Sequence, residues 1–142
     1  KSVVTVARCH ASHGGGILVA NRGEIAVRIC RAAAELGLRT VSLYSEDDAR
    51  SLHASAADAT HPLLGSGVAA YLDVERVVGA AKATGCNAVH PGYGFLSENA
   101  HFAQRCKEEG LTFIGPRVEL LELFGDKGRA RAAAVNAGVP VM

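Results

Sequence analysis

From Ile17 onward, short apolar runs alternate with longer helical patterns, and this alternation constrains the fold more than any other feature of the chain. Ile17-Leu18-Val19-Ala20 reads as a four-residue buried strand. Glu24 to Leu36 then carries apolar residues at Ile25, Ile29, Ala32 and Leu36, the spacing of a helix with one buried face, and Gly37 stops it. A second strand is expected over Thr40 to Tyr44, a helix from Asp47 or Asp48 to Ala57, and a third strand over Thr60 to Leu64. Gly65-Ser66-Gly67 opens a loop. The helix that follows, Asp73 to Thr84, would bury Val74, Val77, Val78 and Ala81 and end at Gly85. Asn87 to His90 is the fourth strand, Glu98 to Glu109 a helix and Thr112 to Ile114 the fifth strand. Two helical segments, Arg117 to Phe124 and Lys127 to Ala137, flank a break at Gly125-Asp126. Strand–helix–strand repeated in this way implies right-handed crossovers, hence a parallel sheet with helices on both faces. The expected fold is α/β, a Rossmann-like open sheet.

Length and charge narrow the function. At 142 residues the chain fits one domain, read here as residues 17–142 behind a flexible tail at 1–16, which has no acid and ends in Gly14-Gly15-Gly16. A net charge of +1 offers nothing to nucleic acid or to an anionic membrane. Aromatic residues, 5% of the chain, are too few for a base-stacking platform. No apolar stretch approaches the roughly 20 residues that span a bilayer. The four cysteines are widely spaced, and Cys30 and Cys106 fall inside amphipathic helices, so the chain reads as reduced and intracellular. The expected location is cytoplasmic or mitochondrial.

The densest loop is His90 to Asn99, HPGYGFLSEN. An apolar run stops at Pro91, two glycines bracket Tyr93, and Ser97-Glu98-Asn99 begins a helix. The glycines open backbone conformations closed to other residues. Ser97 is positioned to cap the helix and Glu98 to meet its positive end. The stretch thus puts a phenol and a carboxylate at the carboxyl edge of the sheet, where open α/β sheets bind ligands.

The first turn, Asn21-Arg22-Gly23-Glu24, has capping-box spacing, with Asn21 as the cap and Glu24 reaching back. Arg22 is not needed for that and is free to meet an anion or a carboxylate. The turn lacks a G-x-G-x-x-G fingerprint, which argues against a nicotinamide-binding enzyme. Arg28 and Arg31 lie on the polar face of the first helix, where Glu24–Arg28 and Arg31–Glu35 pairs would each add about 0.2–0.5 kcal/mol. Lys127, at a helix start, is a candidate for phosphate. Cys9, His10 and His13 could ligate a metal but lack a fourth partner, and His53, His61 and His101 read as structural, so no metal site is assigned.

These motifs resemble one family. ILVANRGEIAVRICRAAAELG (17–37), HPGYGFLSEN (90–99), FIGP (113–116) and GDK (125–127) are similar, in order and spacing, to the amino-terminal domain of biotin carboxylases, often called the pre-ATP-grasp domain. The resemblance spans 17–142. It implies a ligase in which ATP and bicarbonate form carboxyphosphate, whose carbon dioxide passes to a ureido nitrogen of biotin on a carrier domain. It places Lys127 near the ATP phosphates, Tyr93, Gly94 and Glu98 around the biotin and bicarbonate pocket, and Arg28, Arg31 and Glu35 at a dimer interface. It also implies Mg2+ held by a later part of the family's chain, no catalytic residue within these 142, and no activity for them alone. The implied partners are a biotin carboxyl carrier domain, a carboxyltransferase and a second copy of the chain. The stretch 45–59 and LLELFGDK look most like acyl-CoA carboxylases, with pyruvate carboxylases close behind. Two alternatives stand beside this reading: a non-catalytic binding or dimerisation module of the same fold, and another pre-ATP-grasp ligase such as carbamoyl-phosphate synthetase.

Overall fold

The computed structural model describes residues 15–141. Most of the expected tail, with the Cys9, His10 and His13 trio, lies outside the described residues. Gly16 is buried, and its carbonyl accepts the Asn87 N–H at 3.0 Å.

Five strands form one sheet: β1 (Ile17–Val19), β2 (Thr40–Tyr44), β3 (Ala59–Pro62), β4 (Ala88–His90) and β5 (Thr112–Phe113). Their order is β3-β2-β1-β4-β5 and every pairing is parallel, with Leu18 beside both Val41 and Val89. Between them run α1 (Gly23–Glu35), α2 (Leu52–Ala56), α3 (Gly67–Tyr71), α4 (Val74–Ala83) and α5 (Ala100–Glu108); α6 (Val118–Gly125) and α7 (Lys127–Asn136) follow β5. The expected α/β fold, an open parallel sheet with helices on both faces, is what the chain adopts.

Strand alternation sends side chains to two cores. Leu18, Val41, Leu43 and Val89 meet Tyr71, Val77, Val78, Ala81, Phe102 and Cys106 on one face. On the other face Ile17, Val19 and Ala88 meet Ala26, Cys30 and Ala33 of α1. A fully buried Leu or Val contributes roughly 1.5–3 kcal/mol, so the face covered by α4 and α5 holds most of the apolar stabilisation.

Four expectations are corrected. First, α1 buries Ala26, Val27, Cys30 and Ala33, whereas Leu36 is 74% exposed and Ala32 is also exposed. Small residues let the helix lie close to the sheet, and the larger Leu36 faces outward. Second, the expected helix after β2 is a single 3-10 turn (Glu46–Asp48) followed by the short α2. The buried Asp48 gathers the hydroxyls of Ser45 and Ser51, local bonds that compete with a continuous helix. Third, α3 interrupts the expected loop before α4. Fourth, α5 begins at Ala100, with Asn99 as its cap accepting the Phe102 N–H at 2.9 Å; Ser97 does not cap it.

Candidate functional site

The chain runs outward from β1 to β2 and β3, then crosses back to add β4 and β5 on the other side. The loops leaving β1 and β4 therefore part at the carboxyl edge and leave a crevice, the ligand position of open α/β sheets. One wall is Asn21-Arg22-Gly23 and the other is residues 91–99.

Asn21 joins the two walls. It is fully buried, and its amide nitrogen donates to the carbonyls of Pro91 at 2.7 Å and Tyr93 at 2.9 Å. Its side-chain oxygen accepts the Arg22 N–H at 2.9 Å. The expected capping box does not form: the residue preceding α1 is Arg22, and no side chain caps the helix. Asn21 is directed across the crevice instead, bonding to residues 70 and 72 positions away.

The opposite loop has left-handed backbone at Gly92 (φ 67°), Gly94 (φ 67°) and Phe95 (φ 46°). A Cβ on Gly92 would stand 2.7 Å from the Asn21 nitrogen and 2.8 Å from Ile25, so only glycine fits there. Phe95 takes a conformation costly for a residue with a side chain, and is held in it by packing on Tyr71, with ring centroids 5.6 Å apart. Leu96 is buried in the core next to it. Ser97 N–H donates to Gly94 carbonyl and Asn99 N–H to Leu96 carbonyl, turns that postpone α5 by two residues beyond Glu98. His90 Nδ1 accepts the Gly92 N–H at 3.0 Å, and burial holds its pKa below the ordinary value. Between these anchors, Tyr93 is 68% exposed, and Gly94 and Glu98 are also exposed. The loop fixes its backbone and presents its side chains.

Arg22 is explained by a partner that its own turn did not reveal. Its guanidinium is paired with the buried carboxylate of Asp48 and lies 5.9 Å from the centre of the Tyr71 ring. Asp48 also accepts from Tyr71 OH at 2.8 Å, and Tyr71 OH in turn lies 3.4 Å from His53 Nε2 and accepts the Ser45 N–H. Burial pushes the Asp48 carboxyl up, but the bonds from Tyr71, Arg22 and Ser51 outweigh it and leave the pKa below the usual carboxylate value. Burial, then the bond to Asp48, pushes the Tyr71 phenol up to about 12. The Asp48 bond raises Arg22 as well, and burial lowers His53. The group is thus a neutral phenol and imidazole around one ion pair. Sequence reasoning missed Asp48 and Tyr71, whose partners lie 23 and 26 residues away, with no local signal.

The remaining expected residues lie elsewhere. Arg28, Arg31 and Glu35 are exposed on α1 and line a cleft of about 730 Å3 between α1 and α2, which Ser51 and Leu52 also border. The Glu24–Arg28 and Arg31–Glu35 pairs do not form: among the described residues none of these four is in an ion pair. Lys127 is exposed on the first turn of α7. The Asp126 carboxylate already accepts the Arg129 N–H at 3.0 Å there, so Lys127 offers an anion its own charge more than the helix end. α7 packs on α6 and α6 on α5, the helix that follows the 91–99 loop. Among the described residues no group of three or more His, Cys, Asp or Glu gathers to hold a metal, and no helix is long and apolar enough to cross a membrane.

Comparison with known proteins bears on this edge. The family model described as biotin carboxylase, N-terminal domain, matches residues 14–121. The pyruvate carboxylase of Bacillus subtilis is 55% identical over 129 residues, which are 89% of this chain and 11% of that protein. The mitochondrial pyruvate carboxylase of Rattus norvegicus is 53% identical, with the same coverage. Among solved structures, a single-chain, multi-domain long-chain acyl-CoA carboxylase superposes with a TM-score of 0.88 at 55% identity, covering 90% of this chain and 13% of that one. The chain thus spans about a tenth of the length of these relatives, which include both a pyruvate carboxylase and an acyl-CoA carboxylase at 55% identity.

Proposed function

The chain belongs to the biotin carboxylase N-terminal domain family, and from that premise we propose that it forms the biotin-facing edge of an ATP- and bicarbonate-dependent ligase. The observation that carries the reading is the 91–99 loop: a strained, anchored backbone that presents Tyr93, Gly94 and Glu98 to solvent at the switch point of the sheet.

In this reading ATP gives its terminal phosphoryl group to bicarbonate, leaving ADP and carboxyphosphate. Carboxyphosphate splits into phosphate and carbon dioxide, and the carbon dioxide bonds to a ureido nitrogen of biotin as the proton of that nitrogen passes to phosphate. The part played by this chain is binding and orientation. The Tyr93 phenol offers an apolar face and a hydroxyl to the ureido ring, and Gly94 lets the ring approach the backbone. The Glu98 carboxylate accepts hydrogen bonds from the ureido N–H or from bicarbonate. Lys127 supplies a positive charge to the nucleotide phosphates, the type of neutralisation that phosphoryl transfer needs. Among the described residues no cluster of His, Cys, Asp or Glu gathers around a metal, and in this reading Mg2+ would be held by a later part of the full-length polypeptide.

We assign the α1 face to contact with a second copy of the chain. It carries Arg28, Arg31 and Glu35, in no ion pair among the described residues, beside exposed Leu36 and Leu52. The other proposed partners are a biotin carboxyl carrier domain and a carboxyltransferase, in the cytoplasm or the mitochondrion.

The test is ATP cleavage by the full-length polypeptide that contains this domain. The expected result is cleavage that requires bicarbonate, with carboxylation of free biotin that falls at least tenfold in Tyr93→Ala and Glu98→Ala. Absent cleavage would favour the binding-module reading, and bicarbonate-independent cleavage would overturn the biotin carboxylase reading.

A further inference from the structure

We propose that Asn21 is a positioning residue for biotin, holding the Tyr93 loop in its binding shape; the proposal rests on the ligase reading above. Three observations support it. The side chain is fully buried, yet it is not the helix cap that its place in the sequence suggests. Both of its amide protons go to the other wall of the crevice, to the carbonyls of Pro91 and Tyr93, and its oxygen goes to Arg22 N–H. Two carbonyl acceptors and one N–H donor fix the amide's orientation, because the flipped group would face oxygen with oxygen. Finally, Gly92 packs so tightly under the amide that a single methyl would meet it at 2.7 Å.

The loop it holds contains Gly92, Gly94 and Phe95 in left-handed conformations, an arrangement that persists only when its surroundings fix it. Pro91 and Tyr93 carbonyls are the two ends of the first bend. With both tied to β1's carboxyl end, the phenol is placed before biotin arrives, and binding then has less backbone entropy to lose. Asn21 is backed by Arg22, itself held by buried Asp48, so the clamp stands on a fixed base. Asn21 touches neither biotin nor bicarbonate in this arrangement and acts through Tyr93.

The experiment uses the full-length polypeptide with free biotin as the probe. Asn21→Asp keeps the shape but puts an accepting oxygen where the amide nitrogen donates to both carbonyls; Asn21→Ser is the milder change, leaving room for water. Asp58→Asn is the control, since among the described residues the Asp58 carboxylate bonds only to Thr40, at the opposite end of β2. The expected result is a KM for biotin raised about tenfold in both Asn21 variants. Biotin-free, bicarbonate-dependent ATP cleavage should change much less, and the control should keep its KM. Amide exchange supplies a readout independent of catalysis: Tyr93 to Leu96 should exchange faster in the Asn21 variants while β2 does not. Unaltered exchange would refute the clamp. A loosened loop with an unaltered KM would refute the positioning role. A wild-type enzyme without bicarbonate-dependent cleavage would overturn the ligase reading instead, leaving the clamp to the exchange result.

Discussion

Asp48 is an acid held in an apolar setting by Arg22, Tyr71 and the Ser45 and Ser51 hydroxyls. Removing one donor leaves a buried charge short of a partner, which costs more than the bond itself contributed. Tyr71→Phe keeps the ring against Phe95 but removes the hydroxyl that serves both Asp48 and Ser45 N–H. It should lower stability by about 1–3 kcal/mol, read as a shift of the denaturant midpoint at constant slope. His53 gives the site a pH dependence whose sign is fixed. Burial lowers its folded pKa below the ordinary 6.5, so between the two values the unfolded chain binds more protons. The stability it contributes is complete above about pH 6.5 and is lost as the pH falls towards the folded value. His90, lowered by the same cause, adds in the same direction. Thermal melting should be flat above pH 7 and decline from pH 6.5 downward, less steeply in His53→Gln. A flat profile through pH 5 would show that neither imidazole is depressed. At this scale the sequence is a poor guide. Asn21 sits at a cap position, and its real partners are brought near only by the pairing of β1 with β4.

The elements were far more legible than their ends. Alternation of apolar strands with helical periods specifies a parallel sheet because each crossover has one favoured hand, and all five strands lie where that pattern puts them. The errors arise where tertiary contacts override local preference. α1 turns Ala26, Cys30 and Ala33 inward because small residues let the helix approach β1 closely, although Leu36 is the stronger hydrophobe. The start of α5 moved because Leu96 anchors in the core and the turns around it use two more residues. That shift has a measurable consequence. Asn99→Ala should cost about 1 kcal/mol by removing the bond to Phe102 N–H, within the roughly 0.5–2 kcal/mol span of such caps. Ser97→Ala, the position that the sequence alone favours, should cost less than half as much. Chemical denaturation of the two variants side by side decides between the two starts, and equal losses would return the cap to the earlier position.

At the scale of the whole molecule, the two faces of the sheet are covered differently. The face under α4 and α5 is closed by large side chains, while α1 covers the other with small ones and leaves its own outer surface unfinished. On that surface Leu36 and Leu52 are 74% and 68% exposed, and Arg28, Arg31 and Glu35 form no ion pair within the described chain. Charges at helical spacing with both signs present suit a two-fold contact, in which a residue on one copy meets its counterpart region on the other and the reverse contact repeats. Covered by a second copy, the arginines would meet acids away from water, where pairing is stronger than at an open surface. Reversing one charge then introduces the same repulsion twice. Arg31→Glu in the full-length polypeptide should shift sedimentation towards the monomer, and raised salt should weaken the wild-type assembly in the same direction by screening. The variant's melting temperature at low concentration should stay close to that of wild type, because among the described residues Arg31 is exposed and in no ion pair. An undisturbed dimer would mean that α1 faces solvent and that the assembly, if formed, uses another surface.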